Sequence, residues 1–192
     1  DVLREVGGWD PFNVTEDAEL GLRLARSGYK VGVLDSTTWE EAPLAENAWL
    51  KQRTRWMKGY LQTWLAHRRS GRRAKRDWLT ADFFIGGAVA VALIAPILWI
   101  AAAFGPAFGL PATPFVQWSM GAAQIALIAL AAYAPMRRRM AWLSPWAVLA
   151  PIYWLMMSAA AWRGAIQFVR APHYWEKTEH GISAASRRKQ AD

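Results

Sequence analysis

Residues 83–136, FFIGGAVAVALIAPILWIAAAFGPAFGLPATPFVQWSMGAAQIALIALAAYAPM, carry no charged side chain. Two long apolar blocks lie in this stretch, parted by the Pro- and Gly-rich GPAFGLPATP. Leu79–Phe104 and Phe115–Met136 are each long enough, at about 1.5 Å of rise per residue, to cross roughly 30 Å of hydrocarbon. Pro96 falls inside the first block, where a spanning helix tolerates a kink. The basic run HRRSGRRAKRD precedes the stretch and Arg137, Arg138 and Arg139 follow it, whereas the intervening loop has no Lys or Arg. That asymmetry places the two basic flanks in the cytoplasm and Gly105–Pro114 outside. A third uncharged block, Met140–Trp162, comes next. As a span it would carry Arg163, Arg170 and the RRK tail outside, against the charge rule. An interfacial or re-entrant course, which keeps the tail inside, is the favoured expectation.

The chain has 23 Lys and Arg against 15 Asp and Glu, a formal charge of +8 and a pI near 10.2. The positive charge gathers around apolar blocks, so anionic membrane lipids account for it and nucleic acid is not invoked. Thirteen tryptophans fit the same setting, several of them (Trp78, Trp99, Trp118, Trp142, Trp162) near block ends where indoles favour the interface. There is no cysteine, which excludes disulfides, thiolate metal sites and thiol nucleophiles. Residues 83–136 and 140–162 hold no Asp, Glu, Lys or Arg, so a proton or ion pathway has little to work with. The chain opens without Met on DVLREVGGWDPF, and the expectation is the back part of a longer protein.

Residues 1–77 are mixed in character. Thr15 suits an N-cap before EDAELGLRLARSG, with Leu20, Leu22, Leu24 and Ala25 as an apolar face and Gly28 as the stop. YKVGVLDSTTW alternates as a strand does, and a second helix is expected over about Ala45–Ala66. A helix, a strand and a helix make an α/β fragment.

Two motifs carry candidate chemistry. Thr15-Glu16-Asp17 reads first as a capped helix start, which its propensities fully explain; a carboxylate there, favoured as the anion by the helix N-terminus, is also usable as a general base for a hydroxyl. Gln52, Arg55 and Trp56 lie three and four residues apart and share one helical face, with Arg53 turned away. An amide, a guanidinium and an indole together suit a phosphate and a sugar ring. The same helix suits contact with anionic lipid, with Trp56 packed inward.

The run GGWDPFNVTEDAELGLRLARSGYKV, then EEAP, then QRTRWMKG, resembles the family 2 glycosyltransferases. The likeness is strongest to the membrane-integrated branch that includes bacterial cellulose synthase and hyaluronan synthase, and it covers the C-terminal portion of that family. The resemblance implies a cytoplasmic α/β GT-A catalytic fragment over residues 1–77 and two transmembrane helices over 78–136. It further implies a basic loop with an interfacial or third membrane helix over 137–170, and an active-site-loop-like segment with a basic tail over 171–192. It implies transfer of a sugar from a nucleotide-sugar donor to a saccharide or lipid-linked acceptor with inversion, at a bacterial inner membrane. Asp17 would be the general base, and Thr15, Glu16, Gln52, Arg53, Arg55 and Trp56 would contact substrate. HYWEKTEHG is loosely similar to the loop that covers the active site in that branch, which adds Trp175, Lys177, Thr178 and His180 as substrate contacts. A divalent metal, Mg2+ or Mn2+, is expected as cofactor, with ligands upstream of this sequence. This stretch alone would therefore be inactive. The competing expectation is a non-catalytic saccharide- or lipid-binding membrane subunit derived from the same family.

Overall fold

The computed structural model describes residues 1–36, 38, 40, 42–43, 45–69, 81–109, 114–174 and 176. Six α-helices run through them: α1 (Val2–Glu5), α2 (Glu16–Arg26), α3 (Glu46–Arg69), α4 (Gly87–Phe104), α5 (Pro114–Arg137) and α6 (Ala150–Arg170). A π-helical turn, Ala81–Gly86, opens α4, and a 3-10 turn, Gly105–Phe108, extends it. A longer 3-10 stretch, Ala141–Leu149, leads into α6. The described chain divides into two compact units, residues 1–89 with 160–176, and residues 90–159.

The expected α/β GT-A fragment is overturned. Among the described residues there is no strand. The described residues of the segment expected as a strand, 29–36 and 38, fall in neither strand nor helix, and Val33 is 100% and Leu34 84% exposed. Alternation of apolar residues is not sufficient for a strand. Its N–H and C=O groups need a neighbouring strand to pair with, and the flanking elements here are helices whose backbone groups are already paired internally.

In the first unit, α2 stops as its sequence requires. Gly28 takes φ +84, its N–H donates to the carbonyl of Ala25, and the N–H of Tyr29 donates to that of Leu24. This is a Schellman ending, open to glycine because a side chain is strained at that φ. Arg23 on α2 donates to the carbonyls of Val6 and Gly8 and pairs with Glu19 at 2.6 Å, fastening the Gly7-Gly8 turn after α1 to the helix. The π turn packs on α3. There the Trp64 indole N–H donates to Asp82 at 2.6 Å, and a Cβ on Gly86 would stand 2.6 Å from that indole nitrogen.

Three helical stretches, Ala81–Phe108, Pro114–Arg137 and Ala141–Arg170, are long and apolar enough to cross a membrane. The chain is a multi-pass membrane protein. Side chains such as Ile97, Ile125 and Leu130 are exposed, as befits residues that meet acyl chains rather than protein. The helix of α4 continues through Pro96. In the second unit the 3-10 stretch turns back along α5 after Arg139, which holds φ +57. Ser144 donates to the carbonyl of Ala132 at 2.8 Å, and by Pro151 the chain has reached Met120 and Gly121. Trp154 on α6 meets Trp99 on α4 edge to face at 5.9 Å. The third apolar block is therefore two segments, a 3-10 run alongside α5 and then α6.

Candidate functional site

A cavity of about 350 Å³ in the first unit is lined by Val14, Thr15, Glu16, Asp17, Ala18, Arg55, Trp56 and Tyr60. It brings together the two motifs that stand some 40 residues apart in sequence. One wall is the N-terminus of α2 and the other is one face of α3.

The α2 wall is held by a buried polar cluster. Asn13 Nδ2 donates to Thr63 Oγ1 at 2.8 Å, and Asn13 Oδ1 accepts the backbone N–H of Thr15 at 3.0 Å. The Thr15 and Thr63 hydroxyls are hydrogen-bonded to each other, oxygen to oxygen at 3.1 Å. Asn13, Thr15 and Thr63 are all buried, so each bond is made away from competing water. Thr15 occupies the N-cap position of α2 but makes no side-chain cap bond. Its hydroxyl is engaged with Asn13 and Thr63 instead, and the expected cap is replaced by an anchor to α3. The two walls touch where Gly59 faces Thr15, with an added Cβ only 2.6 Å from Thr15 Cγ2.

Asp17 is exposed at the cavity, and its Oδ1 accepts the backbone N–H of Ala18 at 2.8 Å. Glu16 is also exposed there. Both carboxylates stand in the first turn of α2, where the helix N-terminus favours negative charge. Arg55, Trp56 and Tyr60 face them from α3. Gln52 lies one turn before Trp56 and outside the lining. Arg53 is also outside it, with its guanidinium over the Trp56 ring at 4.1 Å and over Trp49 at 5.7 Å. One face of the Trp56 indole is thus occupied by a cation, which leaves its edge and other face to the cavity. Trp175, Lys177, Thr178 and His180 lie outside the described residues.

On another face of α3 the structure adds residues that sequence reasoning missed. Lys58 is 2% exposed, and its Nζ donates to the carbonyls of Ala171 and Tyr174, each at 2.8 Å. Burial lowers its pKa, and the Glu176 carboxylate partly opposes that shift. Arg163 on α6 donates to both oxygens of Glu176 at 2.6 Å and to Thr54 Oγ1 at 3.1 Å. These hydrogen bonds hold the Glu176 carboxyl below its ordinary range despite burial. The signals were present but weak: Lys58 closes QRTRWMK, and Arg163-Gly164 ends an apolar block.

The described residues contain no group of three or more His, Cys, Asp or Glu that could hold a metal ion. Ligands for the divalent cation are expected outside these residues, and no step is derived through one. The cavity offers two carboxylates, a guanidinium and two aromatic rings, a set suited to a hydroxylated and anionic ligand.

Over 59 residues, 30% of this chain, the sequence is 37% identical to the probable glycosyltransferase YdaM of Bacillus subtilis (strain 168). The match spans 14% of that relative's length. No solved structure matches the chain significantly. Residues 1–175, which hold both walls of the cavity and the helices that follow, match the profile described as glycosyl transferase family group 2, and the chain belongs to that family.

Proposed function

We propose that this chain is a saccharide-binding membrane element of a family 2 glycosyltransferase. The observation that carries the reading is the cavity in which Glu16 and Asp17 face Arg55, Trp56 and Tyr60. The Arg55 guanidinium suits the oxygens of a diphosphate bidentately. Trp56 and Tyr60 supply ring surface to a pyranose, and the carboxylates accept its hydroxyls. The ligand class is a diphosphate-linked sugar or the saccharide that receives it. Gln52 and Arg53 support Arg55 and Trp56 from the same helix, and anionic lipid meets the basic flanks.

A second reading is transfer itself, and the position of Asp17 favours it. An exposed carboxylate at a helix N-terminus opposite a guanidinium can take the proton of an acceptor hydroxyl as that oxygen attacks the anomeric carbon and the diphosphate leaves. A divalent cation for that leaving group would be held by residues outside this chain.

For topology, the start of α4 and the end of α6 both belong to the unit that contains α3. This supports an even number of crossings between them: α4 and α5 as one pair, and the 3-10 stretch with α6 as an excursion that returns. The charge bias of the flanks supports the cytoplasm as the side of α3.

The test is equilibrium binding of a nucleotide-sugar panel, inorganic pyrophosphate and short oligosaccharides to the purified full-length protein in nanodiscs. Binding should fall about tenfold or more in Trp56→Ala for saccharides and in Arg55→Lys for diphosphates. Equal affinities in wild type and both variants would reject the cavity as the site.

A further inference from the structure

The helix that carries Arg55 and Trp56 is gripped on its other side by a polar latch. The latch is made of a buried lysine and a forked ion pair. Lys58 reaches the carbonyls of Ala171 and Tyr174 at 2.8 Å each, so its ammonium closes the turn that follows α6. Gln62, one turn on, donates to the carbonyl of Pro172 at 3.4 Å. Arg163 forks onto Glu176 at 2.6 Å on both arms, and Gln167 adds a contact at 3.4 Å. The same guanidinium reaches Thr54 on α3. The Glu176 side chain is 8% exposed and the Arg163 side chain 36%, so the carboxylate end of the pair is the one shielded from solvent.

Beneath these bonds the two backbones nearly touch. A Cβ on Gly164 would stand 2.9 Å from the Thr54 carbonyl oxygen and 3.2 Å from the Lys58 nitrogen. Such contact leaves no room for α6 to slide along α3. The residue after Thr54 is Arg55, and Gly59, the residue after Lys58, makes a closer contact with the Thr15 side chain. Helix α3 is therefore clamped between two glycine contacts, one with α6 and one with the wall that bears Asp17.

We propose that Lys58, Arg163 and Glu176 are positioning residues that set the register of α3 against α6, and through α3 the placement of Arg55, Trp56 and the Thr15–Asp17 turn. None of the three lines the cavity. The mechanical part stands on the geometry alone. Its consequence for ligand rests on the cavity being the binding site.

The experiment is hydrogen–deuterium exchange on the full-length protein in nanodiscs, with binding of inorganic pyrophosphate and the nucleotide-sugar panel measured in parallel. Glu176→Gln should raise exchange about tenfold over residues 171–176, and also over 13–18 and 52–60, while α5 is unchanged. The exchanged pair, Arg163→Glu with Glu176→Arg, should restore protection in all three segments. If Glu176→Gln does not fold, Arg163→Lys keeps the charge and loses the fork, and should open the same three segments to a smaller extent. Exchange that rises over 171–176 alone would overturn the proposal, because the latch would then hold only itself. Ligand affinity should drop about tenfold in Glu176→Gln and recover in the exchanged pair. If wild type binds none of the probes, the cavity reading fails, and the exchange pattern still decides the coupling.

Discussion

Replacing Gly59 by Ala tests the approach of the two cavity walls, because the close-contact argument reverses the usual sign. In an unobstructed helix interior, Gly→Ala stabilises by about 1 kcal/mol through backbone entropy. At Gly59 the new methyl would sit 2.6 Å from Thr15 Cγ2 and 3.0 Å from its Oγ1. Thr15 cannot simply rotate away, since its hydroxyl is bonded within the Asn13–Thr63 cluster. Moving it forfeits hydrogen bonds worth about 1 kcal/mol each, and keeping it forces a backbone shift costing about 1–3 kcal/mol. The net expectation, after the propensity gain, is a loss of about 1–2 kcal/mol. Gly21 in α2 is the control, since a Cβ there meets nothing within 4 Å. Gly21→Ala should stabilise by about 0.5–1 kcal/mol. Urea unfolding in detergent, followed by helical circular dichroism, reads both. If Gly59→Ala is as stabilising as Gly21→Ala, α2 and α3 do not approach as described, and the cavity built on that contact falls with it.

Other expectations follow from the same geometry. On the transfer reading, Asp17→Asn should lower the full-length protein's transfer rate by about 10²–10⁴, well beyond its effect on ligand affinity, and undiminished turnover would remove Asp17 from the chemistry. Thr63→Val leaves Asn13 and Thr15 short of a buried partner and should destabilise by about 1–3 kcal/mol, whereas Thr63→Ser should cost far less; equal losses would show that the hydroxyl is not the reason. Because Arg163 depresses the Glu176 pKa, the stability this pair adds is complete above the ordinary carboxyl value of 4.5 and is lost as pH falls through the depressed one. Wild type should therefore lose stability faster than Glu176→Gln on acidification below about pH 4.5, and parallel curves would deny the pair its role. A cysteine replacing His173, on the same side as α3 in this structure, should resist a membrane-impermeant thiol reagent in intact cells and react after lysis. Labelling before lysis would make the third apolar block a net crossing.

Much of the membrane architecture was legible from local chemistry. The uncharged run at 83–136 determines two helices long and apolar enough to cross a membrane, because hydrocarbon holds no water to satisfy a charge or an open backbone. Gly28 determined where α2 ends, since few other residues adopt its φ. Helical spacing put Arg55 and Trp56 on one face of α3. The same local signals misread residues 29–34, because a strand is completed by a partner and alternation says nothing of whether one is there.

Only tertiary structure decided what those elements meet. That Thr15 anchors to α3 instead of capping α2 depends on Thr63, which folding brings alongside it from 48 residues away. That Arg53 covers one face of Trp56, leaving Arg55 and Tyr60 to the cavity, depends on side-chain packing finer than a helical wheel resolves. The Lys58, Arg163 and Glu176 latch joins residues more than 100 positions apart, across three membrane-length segments. Periodicity and charge act over one or two helical turns, and they do not say which distant carbonyl a buried lysine will find.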